Sequence, residues 1–305
     1  MSMNRRHARI LQTIIGAILL SLGVCYLVTE HSAQAKAQYV GEEPVSAPDA
    51  DTAPTVVFVC TSRDDTSWIE RDFSFFLPRS RRIVYVADDT SAPFHPPLNH
   101  GNEAMSYLTF LIDHYEALPP VAVFLHCHRT TYHNNVRFDN QTAPQVQRMN
   151  YSHVHKHGYV NLLCDENGWP SSSCDVAHGA SFPLSRFRES EADFRRLVPS
   201  RVKRSFIAQM NYILNNVLPD QKLPAVIGAP RGAQFALARE AARRVPLETL
   251  HWLRQWVIDS AGHLDGHFVG QVLENLWHVI FLGAANGVLC PSEDICYCDL
   301  YGLCD

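Results

Sequence analysis

The chain encodes an α/β domain: a mostly parallel sheet covered by helices, a helical C-terminal half and a disulfide-rich tail. Three features predict it. Four short runs dense in Val, Ile, Phe and Tyr fall at residues 55–60, 83–87, 121–125 and 159–163. They lack clean apolar–polar alternation, as strands covered on both faces do. Between the second and third, Ala104, Leu108, Leu111, Ile112 and Tyr115 recur at helical spacing. A strand–helix–strand crossover places its two strands parallel.

The elements follow in order. After the first strand, Asp64, Asp65 and Trp68 open a segment in which either aspartate can cap a helix. The second half is helical at 192–218 with a break at Pro199, at 232–244 up to Pro246, at 247–260 and at 268–282. In the last of these Val269, Val272, Leu273, Leu276 and Ile280 form a buried stripe. No internal repeat recurs at a period of about 20–50 residues.

The leading residues set the topology. MSMNRRHARI precedes an apolar run at 10–28, which as a helix is about 28 Å long, close to the thickness of a bilayer core. Arg5, Arg6 and Arg9 lie before it and the next basic side chain, apart from His31, is Lys36. The positive-inside bias then keeps residues 1–9 cytoplasmic and sends the rest across. The expectation is a single-pass type II anchor with its body in the lumen of the endoplasmic reticulum or Golgi. A cleaved signal ending at Ala33-Gln34-Ala35 is the alternative and gives a secreted protein, although such cores usually run only about 7–15 residues. Residues 29–54, poor in large apolar side chains, form a flexible stem. That leaves 55–289 for one α/β domain and 290–305 for the tail. A mild net charge of −5 without a basic block argues against nucleic acid as a partner.

Cysteine usage fits an oxidising compartment. Cys290, Cys296, Cys298 and Cys304 lack the paired C-x-x-C of a metal knuckle. They are expected to form two disulfides whose pairing is open. Cys164 and Cys174 bracket a Gly/Pro/Ser loop and can close a third, while Cys60 and Cys127 read as buried thiols. The sequons at Asn140 and Asn150 are glycosylation acceptors if the loop carrying them is exposed and lumenal.

Several clusters can carry chemistry. Asp88-Asp89 at the end of the second strand suits a divalent ion, or an ordinary turn. In Asn99-His100-Gly101-Asn102-Glu103, Gly101 permits close backbone approach and Glu103 suits a helix start. His126, His128 and Arg129 end the third strand, with His133 beyond. The three histidines can ligate zinc, Arg129 matches an anion, and hydrogen-bonded histidines at a sheet edge are the plain alternative. His153, His155 and His157 read as a solvated loop. Glu274 and His278, four apart on one helix, can act as a base and its partner, as ligands, or as an ion pair. Gly232-Ala233-Gln234-Phe235 reads as a helix start at which Gln234 can hold a polar group. Neither G-x-S-x-G nor H-E-x-x-H occurs.

The ordered set IVYVADDTSAPFHPPLNHGNEAMSYLTFLIDHYEALPPVAVFLHCHR, HGYVNLLC, GAQFALARE, VLENLWHVIF and CPSEDICYCDLYGLC resembles a fungal family of uncharacterised proteins defined only as a domain of unknown function, over residues 55–305. The N-x-G-x-E, helix and strand ending in His-x-His-Arg also resemble GT-A nucleotide-sugar glycosyltransferases, including rhamnan-synthesis-like enzymes. That resemblance implies a GT-A, Rossmann-like fold. It implies a nucleotide sugar lined by Gly101 and Glu103, with His126, His128 and Arg129 against metal or diphosphate. Gln234 and Phe235 would face a hydroxyl acceptor, and Glu274 would be the catalytic carboxylate with His278 beside it. A divalent cation, Mn or Mg, would be the cofactor. The chain departs from that pattern at Asn102, where Arg is usual, and in lacking an Asp-x-Asp after the third strand; Asp88-Asp89 would have to substitute. A zinc-dependent hydrolase or dehydratase using His126, His128 and His133, or a silent binding protein, are the other classes.

Overall fold

A computed structural model describes residues 53–164, 182–183, 200–230 and 233–304. The expected anchor, its flanking tail and stem up to residue 52, Pro199 and Cys174 lie outside the described residues. No helix among the described residues is long and apolar enough to cross a membrane.

The chain runs β1 (Thr55–Cys60), α1 (Ser67–Phe76), β2 (Arg81–Val86), α2 (Ala104–Asp113), β3 (Val121–His126), α3 (Thr142–Arg148), α4 (Tyr151–His157) and β4 (Tyr159–Asn161). Then come β5 (Phe182–Pro183), α5 (Ser200–Val217), β6 (Val226–Ile227), β7 (Phe235–Ala238), α6 (Arg239–Ala242), α7 (Leu247–Ser260), α8 (Gly266–Glu274), α9 (Trp277–Leu282) and α10 (Glu293–Tyr301). A five-stranded sheet has the order β2-β1-β3-β7-β4, and β5 pairs with β6 separately. β1 lies parallel to both β2 and β3, whereas β7 runs antiparallel to β3 and β4. The sheet is thus mixed, with a mostly parallel core.

Period-two alternation divides the side chains between two layers. Val57, Ile83, Tyr85, Ala122, Phe124, Phe235 and Leu237 pack in one core with α2, α5, α7, α8 and α9. On the other face Phe58 meets Trp68 and Phe73 of α1 edge-on. α2 is buried over most of its length and packs on α7 and α8. That is why its sequence shows little polar stripe.

Two helix expectations are corrected. Residues 235–238 form β7 rather than the start of a helix, and only one turn of helix follows. All four side chains are buried, and the backbone pairs on both sides. That pairing outweighs the helical preference of Ala and Leu, which periodicity alone does not separate in so short an apolar run. The expected helix at 268–282 is two helices, α8 and α9, interrupted at Asn275–Leu276.

The disulfides also differ from expectation. Cys60 and Cys127 are bonded to each other. The register pairs Val59 with His126, so the next residue of each strand stands opposite the other. Cys164 bonds to Cys296 rather than to Cys174, and Cys298 bonds to Cys304; Cys290 is disulfide-bonded as well. The tail is further held at its last helix, where the Tyr301 hydroxyl donates to the Leu162 carbonyl.

Candidate functional site

From β1 the chain passes to β2 on one side, then crosses back to β3 on the other. The direction of winding therefore switches between β1 and β3. In open α/β sheets ligands sit outside the carboxyl ends of the strands at such a point. Here those ends are Cys60 and His126-Cys127, joined by their disulfide.

His126 continues the row of Ala122 and Phe124, so it faces the layer containing α2. Its Nδ1 is 4.0 Å from Oε2 of Glu103, the residue just before α2. Burial pushes the Glu103 carboxyl up to about 8, with the charge of Glu274 adding to the effect. Burial lowers the His126 imidazole to about 3, helped by His133 and His128. The contact is thus between a carboxylic acid and a neutral imidazole at neutral pH, not an ion pair. A fifth of the His126 side chain meets solvent, yet its Nε2 is enclosed without a hydrogen-bond partner among the described residues. The Tyr107 hydroxyl, one turn into α2, is likewise buried without a partner and feels both Glu103 and Glu274. Glu274, at the end of α8, also acts on Tyr159 at the start of β4.

The structure therefore brings Glu103 and His126 together and places Glu274 close enough for its charge to act on Glu103. Arg129 stands three residues beyond His126, its side chain 55% exposed. Its Nε donates to Asp72 Oδ2 at 2.6 Å. Asp72 is buried in α1 and also accepts from Arg71. That clamp fixes the guanidinium by one edge and leaves the terminal nitrogens for an anion. His128 is exposed, and His133 sets its ring, tilted by 31°, 4.8 Å from that of His126.

Other candidates fall elsewhere. Gly101 (φ +78°) makes its close approach to the protein itself: a Cβ there would lie 2.9 Å from Val257 and 3.3 Å from Val269. Gln234 is buried and its amide is engaged. It accepts from the His126 backbone N–H and donates to the His133 carbonyl and Asn134 Oδ1. It positions the two histidine segments rather than facing an acceptor, and Phe235 is in the core. His278 is fully buried in α9, its Nε2 donating to the Gly287 carbonyl, and burial lowers it to about 4. The helix break removes the shared face expected for Glu274 and His278.

The Asp88 carboxylate accepts from the Ser62 backbone and hydroxyl, and Asp89 accepts from Ser91 in the same way. Both carboxylates serve the turns, and no three His, Cys, Asp or Glu side chains among the described residues are placed to hold a metal ion. Asn140 is half-buried with φ +57°. Asn150 caps α4, accepting from the His153 N–H, and donates to the Asp299 carbonyl. The sequon asparagines are thus built into the surface rather than standing on a free loop. His153, His155 and His157 lie in α4, where the first and last rings stack at 4.2 Å.

Sequence reasoning missed Tyr107, Asp72 and the Cys60–Cys127 bond. Spacing signalled the first, since Tyr107 stands four residues after Glu103, on the same helix face.

The fold and site define an α/β protein with a buried acid–imidazole contact at the switch point of its sheet. A family model described as Protein of unknown function (DUF3431) matches residues 56–299, and the chain belongs to that family. No curated protein and no solved structure matches it.

Proposed function

We propose that this protein transfers a glycosyl group from a nucleotide sugar to a hydroxyl acceptor, as a type II membrane protein acting in the lumen of the secretory pathway. The observation that carries the reading is the contact of Glu103 with His126 at the carboxyl end of β3, with the charge of Glu274 acting on Glu103 and the clamped Arg129 three residues further along the chain. An anionic leaving group suits Arg129, whose free edge offers paired N–H donors to phosphate oxygens. His126, held neutral, adds hydrogen bonding and no charge.

In the reaction the acceptor oxygen bonds to the anomeric carbon as the bond from that carbon to the diphosphate oxygen breaks. The acceptor proton passes to the Glu274 carboxylate, and the electron pair leaves with the diphosphate. Preorganised charge on that leaving group supplies most of the effect. Asp88 and Asp89 do not fit a divalent cation, because serines occupy both carboxylates; no step is routed through a metal.

The test is a thermal-shift panel on the full-length protein in detergent, with nucleoside diphosphates and their sugar conjugates, with and without manganese. A rise in melting temperature with one nucleotide family is the expected result. If no nucleotide or nucleotide sugar stabilises the protein, the transferase reading is wrong.

A further inference from the structure

A cleft of about 520 Å³ opens between α5 and α7, and it shares no residue with the strand-end site. That volume falls in the range of small-molecule sites, about 300–1,000 Å³. Trp252, Gln255, Trp256 and Asp259 stand at i, i+3, i+4 and i+7, so they share one face of α7. Gln209 and Tyr212, three apart on α5, line the cleft with them. Trp256 is buried, Trp252 is half-buried and Tyr212 is 52% exposed. A solvent-facing helix surface usually carries charged side chains; this one presents rings and amides.

The arrangement of rings and polar groups suits one kind of ligand. The centroids of Tyr212 and Trp252 lie 5.7 Å apart, with the rings tilted by 47°. Rings this close touch each other, so no ammonium group fits between them as it does in an aromatic cage. They make a continuous apolar surface for the face of a ring. Hydrogen bonds fix the polar groups beside it. Trp256 Nε1 donates to Gln209 Oε1 at 3.3 Å, and Gln255 Nε2 donates to Asp259 Oδ1 at 2.7 Å. Among the described residues this leaves the Gln209 amide N–H groups, the Gln255 carbonyl oxygen and the second Asp259 oxygen without partners. Donors and acceptors are thus both on offer. The described lining holds no Lys or Arg to recruit a phosphate or carboxylate.

A sugar ring has an apolar C–H face that packs on aromatic side chains and hydroxyls at its edge that both donate and accept. From Trp252 to Asp259 is seven residues, about 10 Å along α7, longer than one sugar ring or one base and enough for two linked rings. We infer that the cleft between α5 and α7 binds a neutral oligosaccharide. Tyr212 and Trp252 are its stacking platform, and Gln209, Gln255 and Asp259 are its hydroxyl partners. The inference does not rest on the transferase reading, which uses none of these residues, and either can fail without the other.

Titration calorimetry on the full-length protein, held in a detergent without a sugar headgroup, is the test. The probes are tetrasaccharides of glucose, mannose and N-acetylglucosamine with their monosaccharides, adenosine, and tetramethylammonium. One tetrasaccharide should bind, on the order of 10-fold tighter than its monosaccharide, because only the longer ligand reaches both the rings and Asp259. Tyr212→Ala and Trp252→Ala should each weaken it by about 10-fold, the worth of one stacked ring. Trp252→Phe keeps a ring and should retain most of the affinity. Tyr212 is exposed, so a melting temperature unchanged in Tyr212→Ala separates lost binding from lost folding, even if Trp252→Ala is unstable.

If no tetrasaccharide binds, the inference is wrong. It is equally wrong if a tetrasaccharide binds and Tyr212→Ala leaves its affinity unchanged, since the ligand then sits elsewhere. Adenosine binding more tightly than every saccharide, and lost in Tyr212→Ala, would make the cleft a base site. Tetramethylammonium behaving that way would make it a cation site, and either result overturns the inference.

Discussion

Glu103 should make the protein lose stability as the pH rises, and Glu103→Gln should remove that loss. The carboxyl is 9% exposed, and burial beside Glu274 raises it from 4.5 to about 8. A group whose folded value lies above its unfolded value contributes stability that is fully present below 4.5 and lost as the pH climbs through 8, because the unfolded chain releases the proton first. Across that interval, at about 1.4 kcal/mol per pH unit, the loss is on the order of 5 kcal/mol. Domains are typically stable by only about 5–15 kcal/mol, so the effect is large. For a domain of this size it corresponds to a melting temperature lower by about 10–20 °C between pH 5 and pH 9. The assay is thermal unfolding by circular dichroism at half-unit steps, wild type against Glu103→Gln, which keeps the size and removes the titration. The variant should be the less pH-dependent protein, with the two curves diverging above pH 5. Parallel curves would show that Glu103 titrates normally, and the buried acid with its neutral histidine would have to be abandoned.

Three further outcomes are expected. Replacing both Cys60 and Cys127 by serine opens a loop of 67 residues and should cost about 4 kcal/mol, whereas opening the 6-residue loop of Cys298 and Cys304 should cost about 2; urea unfolding under non-reducing conditions ranks them, and the reverse order would refute the assignment. Gly101→Ala puts a side chain on a left-handed backbone against Val257 and should destabilise by about 1–3 kcal/mol, measured by the same melts; a neutral result would mean the turn relaxes freely. Tyr107→Phe deletes a buried hydroxyl with no protein partner among the described residues and should stabilise the ligand-free protein by about 1 kcal/mol, so a destabilised variant would reveal an unseen partner.

The parallel half of the fold was readable because its strands are Val- and Ile-rich and its crossover helix has regular spacing. β7 was not. FALA is a short apolar run that satisfies a strand and a helix equally, and only its two neighbours decide. The same limit applied to Cys60 and Cys127, 67 residues apart in the chain. Their bond follows from strand register, a property of pairing and not of either segment. At the site, the residues at the end of β3 and before α2 could be placed from strand and helix boundaries. Their chemical states could not. That His126 is neutral and Glu103 protonated follows first from burial, with Glu274, brought in from α8, adding to the effect at Glu103 and His133 and His128 adding to it at His126. The partners of Gln234 were hidden for a related reason: its amide bonds to segments about 100 residues away in the chain, at His126, His133 and Asn134.

The disulfide and the Glu103–His126 contact belong to one arrangement. Strands at a switch point hand their chains to opposite sides, so their carboxyl ends have the least to hold them together beyond the last ladder bond. Cys60–Cys127 closes that gap on one face of the sheet, while His126, one residue earlier, turns to the other. The bond therefore fixes the strand end that presents His126, and Gln234 fixes the same backbone from the other side. A site built on strands held this way can keep polar groups unpaired without the sheet opening to satisfy them. The stability forgone at Tyr107, Ser106 and His126 is then recoverable by a bound ligand or an ordered water. This is why removing the Tyr107 hydroxyl should strengthen the empty protein and weaken the liganded one: a merely structural tyrosine would move both in the same direction.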